Sequence, residues 1–304
     1  MKCFYHNDND GKFAAQCVFN WVGIHFNEDG TGPDTDYIPI NYNIEFPMDA
    51  ILPGEQVWIV DYSIKPDEMR ELLKITEDVT WIDHHKTAIA RYADFDVPIR
   101  GVRKDGEAGC VLTFKYIHWW TGRGDGDIDL SAENKDIPVP EAITLVGDRD
   151  AWLWEYGDRT KYFNLGLMVE DLSVGSKGVL AELCFGHGRE YEELMADIPC
   201  NGSIVEKIQA RQNMHALDNY GFETELDGIP CFAVNKIKGS SEVFGDLLNC
   251  YAMCSAFVYD GEKYTVSLYS TQIDVSEIAK KHGGGGHKGA AGFVVDELPF
   301  KGKE

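Results

Sequence analysis

Short unbroken apolar runs alternate along this chain with segments whose apolar residues recur every three to four positions. That is the pattern of buried strands interleaved with amphipathic helices. Residues 2–6 (Lys-Cys-Phe-Tyr-His) read as a first strand, and Lys12 to about His25 puts Phe13, Ala14, Cys17, Val18, Trp21 and Val22 on one helical face. A Gly/Asp-rich loop is expected over Asn27–Asp36. The run Asp36–Tyr42 then reads as an edge strand because of its proline. Gln56–Asp61 is a continuous apolar run closing on an aspartate, as a buried parallel strand does. Pro66–Ile75 is a short helix with proline near its start. Val79–Asp83 is the next strand and runs into Asp83-His84-His85. Strand geometry there would point His84 and His85 to opposite faces, one free to ligate a metal and the other to meet a substrate.

This succession predicts a parallel sheet with helices on both faces. Beyond it, Glu107–Trp120 reads as a helix, Gly122–Asp129 as a polar loop, and Pro140–Val146 as the start of another helix. Residues 176–220 are expected to be mostly helical, with a break near Pro199-Cys200-Asn201-Gly202. From about Gly228 the texture changes. Ile229–Val234, Ala256–Tyr259 and Tyr264–Tyr269 are short β runs, Glu242–Cys254 is expected to be helical, and a glycine-rich loop lies between Lys281 and Gly292. The fold class is α/β: a parallel-sheet N-terminal domain over 1–170, a helical linker over 171–220, and a smaller α/β domain over 221–304. The active site is expected in the cleft between the two domains.

With 304 residues, 44% hydrophobic and 12% aromatic, the chain is long and apolar enough for two folded cores. No apolar run approaches the roughly 18 residues of a membrane span. Met1-Lys2-Cys3-Phe4-Tyr5 enters a strand directly, without a signal-peptide layout, so a soluble cytoplasmic protein is expected. The eight cysteines include no Cys-x-x-Cys pair and read as reduced thiols; Cys250 and Cys254, four apart in an expected helix, read as buried small hydrophobes. Twenty-eight basic against 51 acidic residues give a net charge of −23, which repels long duplex nucleic acid. Small phosphorylated substrates remain open, because bound divalent ions reverse the local charge.

Candidate ligands for such ions are present. His6, Asp8 and Asp10 alternate behind the first strand, and an extended segment would keep them on one face. Asp61 and Asp83 close two further buried strands, and the C-terminal ends of parallel strands share one sheet edge. Like charges gathered there would repel without a cation between them. Asp and His donors without cysteine suit Mn²⁺ or Mg²⁺, with Co²⁺ or Zn²⁺ less favoured, and several carboxylates can share two ions roughly 3.5–4 Å apart.

The motifs His-x-Asp-x-Asp-Gly at 6–11, Val-Asp-Tyr-Ser at 60–63, Asp-His-His at 83–85, Gly-Asp-Arg-Asp at 147–150 and Gly-Gly-Gly-His at 284–287 occur in that order. In this the chain resembles the DHH phosphoesterase superfamily with its DHH-associated C-terminal domain, in the oligoribonuclease and exopolyphosphatase-like branch. The resemblance implies that His6 and Asp8 bind one ion, that Asp10 and His84 bind the other, and that Asp61 bridges them. Asp83 would orient a histidine, and His85 would face the substrate phosphate or assist the leaving group. Of Asp148 and Asp150, the resemblance favours Asp150 as ligand. Asp148 would then be a helix-surface carboxylate or a partner of Arg149.

Independently, consecutive glycines let backbone N–H groups approach a phosphate. Gly284, Gly285, Gly286, His287 and Lys288, with Lys281 nearby, are therefore candidate substrate contacts. Many family nucleases have Ser-x-Arg-Ser where this chain has Ser267-Leu268-Tyr269-Ser270. Tyr269 cannot make the bidentate phosphate contact of an arginine; it would instead stack on a base or ribose, or pack within its domain. Trp119-Trp120 and the pair Trp152 and Trp154 read as helix-packing aromatics, His25, His118, His187 and His215 as ordinary residues, and the acidic runs at Asp125–Asp129 and Glu190–Glu193 as solvated faces. The expected function is a two-metal, Mn²⁺-dependent phosphohydrolase, exonuclease-like in chemistry, acting on short oligonucleotides or small nucleotide phosphates. Polyphosphate or pyrophosphate hydrolysis is the enzyme alternative, and a non-catalytic nucleotide or metal sensor is the alternative of another class. No membrane or long-duplex partner is expected, and a homodimer is left open.

Overall fold

Four parallel strands, in the order β2-β1-β3-β4, build the sheet from which the N-terminal half is made. The structure is a computed structural model and describes residues 1–25, 34–42, 44–123, 137–237 and 240–300. Most of the loop expected at 27–36, all but the start of that at 122–129 with its acidic run, and the side chains of His25, Trp119 and Trp120 lie outside the described residues. The chain divides into two units, Met1–Ile204 and Val205–Glu304.

In the first unit the elements follow as β1 (Lys2–His6), α1 (Asn9–His25), β2 (Asp36–Ile40), β3 (Val57–Val60), α2 (Pro66–Ile75), β4 (Val79–Ile82), α3 (Lys86–Arg91), α4 (Gly109–Arg123), α5 (Glu141–Asp150), α6 (Asp158–Gly166), α7 (Val179–Phe185) and α8 (Arg189–Tyr220), the last continuing into the second unit. Period-two alternation divides the sheet's side chains between two cores. Cys3, Tyr5, Trp58, Val60 and Ile82 pack with α1, α4, α5 and α7 on one face; Phe4, Val57, Ile59, Val79 and Trp81 pack with α2 on the other. Both faces of β3 and β4 are therefore dry, which is why these strands read as unbroken apolar runs. Pro39 sits on β2 at the sheet edge, where a missing N–H costs least. Beyond β4, residues 100–103 add bridges to Thr80 and Asp83; an ideal Cβ on Gly101, at φ +110°, would lie 2.1 Å from the Trp81 carbonyl oxygen.

Two expectations for this unit are corrected. Helix α8 runs unbroken through Pro199-Cys200-Asn201-Gly202. The reason is tertiary: a Cβ on Gly202 would meet the Tyr162 carbonyl oxygen at 1.8 Å, and one on Gly166 would meet that of Ile198 at 1.9 Å. The two helix backbones touch at these glycines, and that contact holds the segment helical despite the donor lost at Pro199. The expected linker 171–220 is shared between the units. Its Leu172, Leu180, Leu183, Cys184 and Ile198 belong to the first unit's core, whereas Ala216 and Leu217 pack in the second.

The second unit holds β5 (Gly221–Leu226), β6 (Ile229–Asn235), α9 (Leu247–Cys250), β7 (Met253–Tyr259), β8 (Tyr264–Tyr269), α10 (Val275–Lys281), β9 (Gly285–His287) and β10 (Ala290–Val295). Its sheet runs β5-β6-β7-β8-β10-β9 and is antiparallel except between β6 and β7. Strand β5, absent from the sequence reading, joins β6 through Asp227-Gly228, both at positive φ, as a two-residue hairpin requires. The helix expected at 242–254 shrinks to a 3₁₀ turn (Ser241–Val243) and the single turn α9. Met253 and Cys254 instead open a strand, where they are fully buried. Cys250 is consequently exposed rather than packed. The expected glycine-rich loop is the β9–β10 hairpin. Gly283 (φ +79°) closes α10 in a Schellman cap, with Gly283 N–H donating to the Lys280 carbonyl and Gly284 N–H to that of Ala279. A Cβ on Gly284 would lie 2.0 Å from the Gly292 carbonyl oxygen. Among the described residues no helix is long and apolar enough to cross a membrane.

The Gly166–Ile198 contact leaves no room for a methyl group. Gly166→Ala should destabilise the protein by about 2–3 kcal/mol through forced separation of α6 and α8. Urea unfolding checks this as a fall in midpoint at unchanged slope.

Candidate metal centre

The C-terminal ends of β1, β3 and β4 bring His6, Asp61 and Asp83 to one sheet edge. Behind β1 the chain turns at once into α1 instead of staying extended, which corrects the expected alternation of His6, Asp8 and Asp10. Asp8 is the N-cap of α1 and accepts from Gly11 N–H at 2.9 Å. Gly11 permits so abrupt a start, because a Cβ there would lie 2.0 Å from the His6 carbonyl oxygen. Asp10 lies in the first helical turn. It is buried, and its two oxygens accept from Gly109 N–H (2.7 Å) and Cys110 N–H (2.8 Å) at the N-terminus of α4.

Asp61 lies at the middle of the cluster. Its N–H makes the last rung of the β3–β4 pairing, to Ile82 O at 2.9 Å, and its φ of +52° turns the side chain back over the strand ends. Aspartate tolerates this left-handed conformation better than most residues. The carboxylate is 1% exposed, and neither oxygen receives a hydrogen bond from any described group. Such a group is costly unless a cation completes it. Gly109 closes the centre from the other side, since a Cβ there would come within 2.7 Å of the Asp61 Cβ.

Around Asp61 the donors fall into trios whose ligand atoms lie within 4.8 Å of one another: His6, Asp8 and Asp61; Asp10, His84 and Asp150; and Asp61, His84 and His85. His6 Nδ1 is 2.6 Å from Asp8 Oδ2 and 3.8 Å from Asp61 Oδ2. His84 Nε2 is 3.2 Å from Asp61 Oδ1, 3.1 Å from Asp150 Oδ2 and 3.6 Å from Asp10 Oδ2. One Asp61 oxygen thus faces each of the first two trios. These oxygen and imidazole donors suit a hard or borderline divalent ion.

His84 and His85 follow the end of β4 and do not point to opposite faces. Residues 86–91 already turn as α3, and both rings approach Asp61, with centroids 4.6 Å apart. Asp83 Oδ1 lies 2.7 Å from His85 Nδ1, and its Oδ2 accepts from the Ser63 hydroxyl. Both aspartates of the fourth motif are accounted for. Asp150 enters the ligand trio. Asp148 is neither a surface carboxylate nor a partner of Arg149. It is buried and accepts from Glu155 N–H (2.8 Å), Tyr156 N–H (3.3 Å) and the Thr160 hydroxyl, which ties down the loop after α5.

The charges respond as such crowding demands. The carboxylates of Asp61 and Asp8 raise His6 to about 10. Burial disfavours a charge on His84, but Asp150, Asp61 and Asp10 outweigh it and raise the ring to about 11. Burial, then repulsion from Asp61 and Asp150, drives Asp10 well above the usual carboxylate range. Asp83 is held below its ordinary value: burial opposes its charge, but the His85 hydrogen bond prevails.

In the second unit, Gly285, Gly286 and His287 form β9, paired with Ala290–Gly292 of β10; Gly284 precedes it and Lys288 lies in the turn. His287 and Lys288 are exposed. Tyr269 pairs with Ala290 and is half-buried, its ring 6.0 Å from that of Phe244, so packing within its unit occupies much of its surface. Sequence reasoning gave no role to Gly109 or Ser63. The only available signals were the small residues Ala108-Gly109-Cys110 at a helix start and the serine inside Val-Asp-Tyr-Ser. The expectation that Trp152 is a packing aromatic is also corrected, because it is 74% exposed.

Residues 238–302 match the DHHA1 domain. Across the chain, 282 residues align at 24% identity with an uncharacterized protein of Acanthamoeba polyphaga mimivirus, covering 86% of this chain and 58% of that protein. The chain therefore spans little more than half the length of that relative. The structure superposes with a TM-score of 0.54 on a solved DHH domain from a protein described as a member of a family of ribosomal proteins, at 14% identity over 96% of this chain and 82% of that one. The exonuclease RecJ bound to manganese aligns at 17% identity over 97% and 86% of the two chains, with a TM-score of 0.48.

The two aspartates of α5 should separate experimentally. Asp148→Ala strands two backbone donors and a hydroxyl and should cost about 2–3 kcal/mol in chemical denaturation. Asp150→Ala should leave the unfolding midpoint nearly unchanged and weaken Mn²⁺ binding at least tenfold by calorimetry. The metal-free protein should also lose stability as pH rises. His6 and His84 have raised folded values, about 10 and about 11, so their contribution is full below the unfolded value near 6.5 and fades as pH approaches those values. Thermal midpoints measured in chelator from pH 6 to 10 check this.

Proposed function

We propose that this chain, whose residues 238–302 match the DHHA1 domain, is a DHH-type phosphoesterase: a metal-dependent phosphohydrolase acting on short oligonucleotides or small nucleotide phosphates. The observation that carries the reading is the buried Asp61 carboxylate, which accepts no hydrogen bond among the described residues, faces imidazole nitrogens, and offers one oxygen to each of two Asp/His trios. Two divalent ions fit this donor set, one held by His6, Asp8 and Asp61 and the other by Asp10, His84, Asp150 and the same Asp61. We take manganese as the ion because it accepts both carboxylate and imidazole donors, with magnesium or cobalt as the alternatives. Bound there, the ions supply an acidified water and neutralise charge developing on phosphoryl oxygens.

The chain's own groups do the rest. Asp10, fixed by the N-terminus of α4, and Asp61, fixed by the final rung of the sheet, hold the donor atoms in place before any ligand arrives. His85 is the group we assign to the leaving-group oxygen. Asp83 binds its Nδ1, which fixes the ring and leaves Nε2 to donate a proton; Ser63 in turn fixes Asp83. Burial opposes a charge on His85, but Asp83 raises its affinity for a proton above the ordinary value, as a donor requires. Within the second unit, the exposed His287 at the end of β9 and Lys288 in the turn after it are candidate phosphate contacts. The net charge of −23 favours short substrates over long polyanions.

The test combines turnover and stability. In Mn²⁺, dinucleotides, 3′,5′-bisphosphonucleosides, cyclic dinucleotides and polyphosphate are compared, with release of mononucleotide from the short nucleotides expected. Hydrolysis of polyphosphate alone would overturn the nucleotide assignment. Saturating Mn²⁺, at about 100 times its dissociation constant, should stabilise the wild type by about 2.7 kcal/mol per site. Asp61→Ala should abolish both that stabilisation and turnover; full activity in this variant rejects the mechanism.

A further inference from the structure

Helix α5 ends in a Schellman cap: Trp152 N–H donates to the Arg149 carbonyl at 3.1 Å and Leu153 N–H to that of Asp148 at 2.9 Å. The residue at the left-handed position of such a cap is commonly glycine. Here it is Trp152, at φ +58° and 74% exposed, and Trp154 two residues on also has a positive φ, +56°. A bulky aromatic gains nothing for the cap in this conformation, and its exposed ring gains little from burial. Strain of this kind persists where the surrounding structure over-determines it, and it concentrates at functional sites. The over-determination is visible: buried Asp148 binds Glu155 N–H, Tyr156 N–H and the Thr160 hydroxyl, and the Trp154 ring stands edge-on to Trp152 at 5.3 Å.

The strained ring lines a cavity of about 480 Å³ whose walls include Asp8, Asp10 and Asp150 of the metal centre together with Lys12 and Arg149. Neither Lys12 nor Arg149 makes an ion pair with a carboxylate among the described residues. The cavity thus joins a phosphate-handling end, two cations and a flat aromatic surface. Asn7 and Asn9 on the same wall add amide donors and acceptors. A ligand matching all of these carries both a phosphate and a planar heteroaromatic ring, and inorganic polyphosphate lacks the second.

We propose that Trp152 is a stacking platform for a nucleobase of the substrate, and that its cavity is what selects nucleotides over phosphates lacking a base. The inference rests on the reading of the neighbouring centre as a phosphohydrolase site, and it names a specificity residue for it.

The experiment compares binding of 5′-AMP and ribose 5-phosphate to the Mn²⁺-loaded protein by calorimetry, in the wild type and in Trp152→Gly and Trp152→Phe. Stacking on an aromatic side chain corresponds to about a 5- to 150-fold preference for the base-bearing ligand. The wild type should show that preference, W152F should keep most of it, and W152G should lose it. Glycine relieves the strain at the cap, so the thermal midpoint of W152G should not fall. A preference unchanged in W152G overturns the proposal, and so does a W152G midpoint well below wild type, which would mark Trp152 as a structural residue. The two readings fail separately. Nucleotide hydrolysis with an unchanged preference in W152G removes the platform and keeps the enzyme. Absence of hydrolysis, with the preference lost only in W152G, removes the enzyme and keeps the platform.

Discussion

A carboxylate withdrawn from water, accepting no hydrogen bond among the described residues and balanced only by neighbouring imidazoles, is the constraint around which the first unit is arranged. Asp61 can be in that position only because several things agree. The sheet delivers its backbone to the edge, its φ of +52° turns the side chain inward, and Gly109 stays small enough to let α4 approach. Each is a cost in the metal-free protein, and together they form a cavity of negative charge that protonated His6 and His84 only partly offset. Parallel topology makes the arrangement available, since successive strands end on the same side and their terminal residues meet without long loops. The fold supplies convergence, and the chemistry follows from which side chains end the strands.

Much of this was legible because buried parallel strands announce themselves. Val57–Val60 and Val79–Ile82 are dry on both faces, so each appears as an apolar block whose closing aspartate stands out. Asp61 and Asp83 stand out for that reason, whereas Asp150, which ends a helix, is named only through the resemblance of its motif. The orientation of the cluster's members could not be read. His6, Asp8 and Asp10 alternate on paper, yet Gly11 lets the helix begin so early that Asp8 becomes its cap and Asp10 points into the core. The adjacent histidines looked like opposite faces of a strand that in fact ends at Ile82.

The second unit was less readable, for a related reason. Its glycines resemble a flexible anion loop in sequence, whereas the structure spends Gly283 on a helix cap and Gly284 on backbone packing within a hairpin. Local composition cannot distinguish a glycine kept for a ligand from one kept for a neighbouring strand. Similarly, Pro199 and Gly202 carry the local signature of a helix end, which a contact with a distant helix overrides. Trp152 is the reverse case. Nothing local marks an aromatic after a helix as unusual until its φ and its exposure are known.

The sheet edges have a consequence for how this protein behaves in company. Strand β2 carries Pro39, which has no N–H to offer; β5 carries Glu223 and Glu225, whose charges repel an incoming strand of like composition; and β9 is three residues long with two glycines. An edge that is interrupted, charged or very short makes a poor template for another chain's backbone. Strand addition is thus disfavoured at each of these edges. In the folded protein these three strands therefore offer a second copy little backbone with which to extend either sheet.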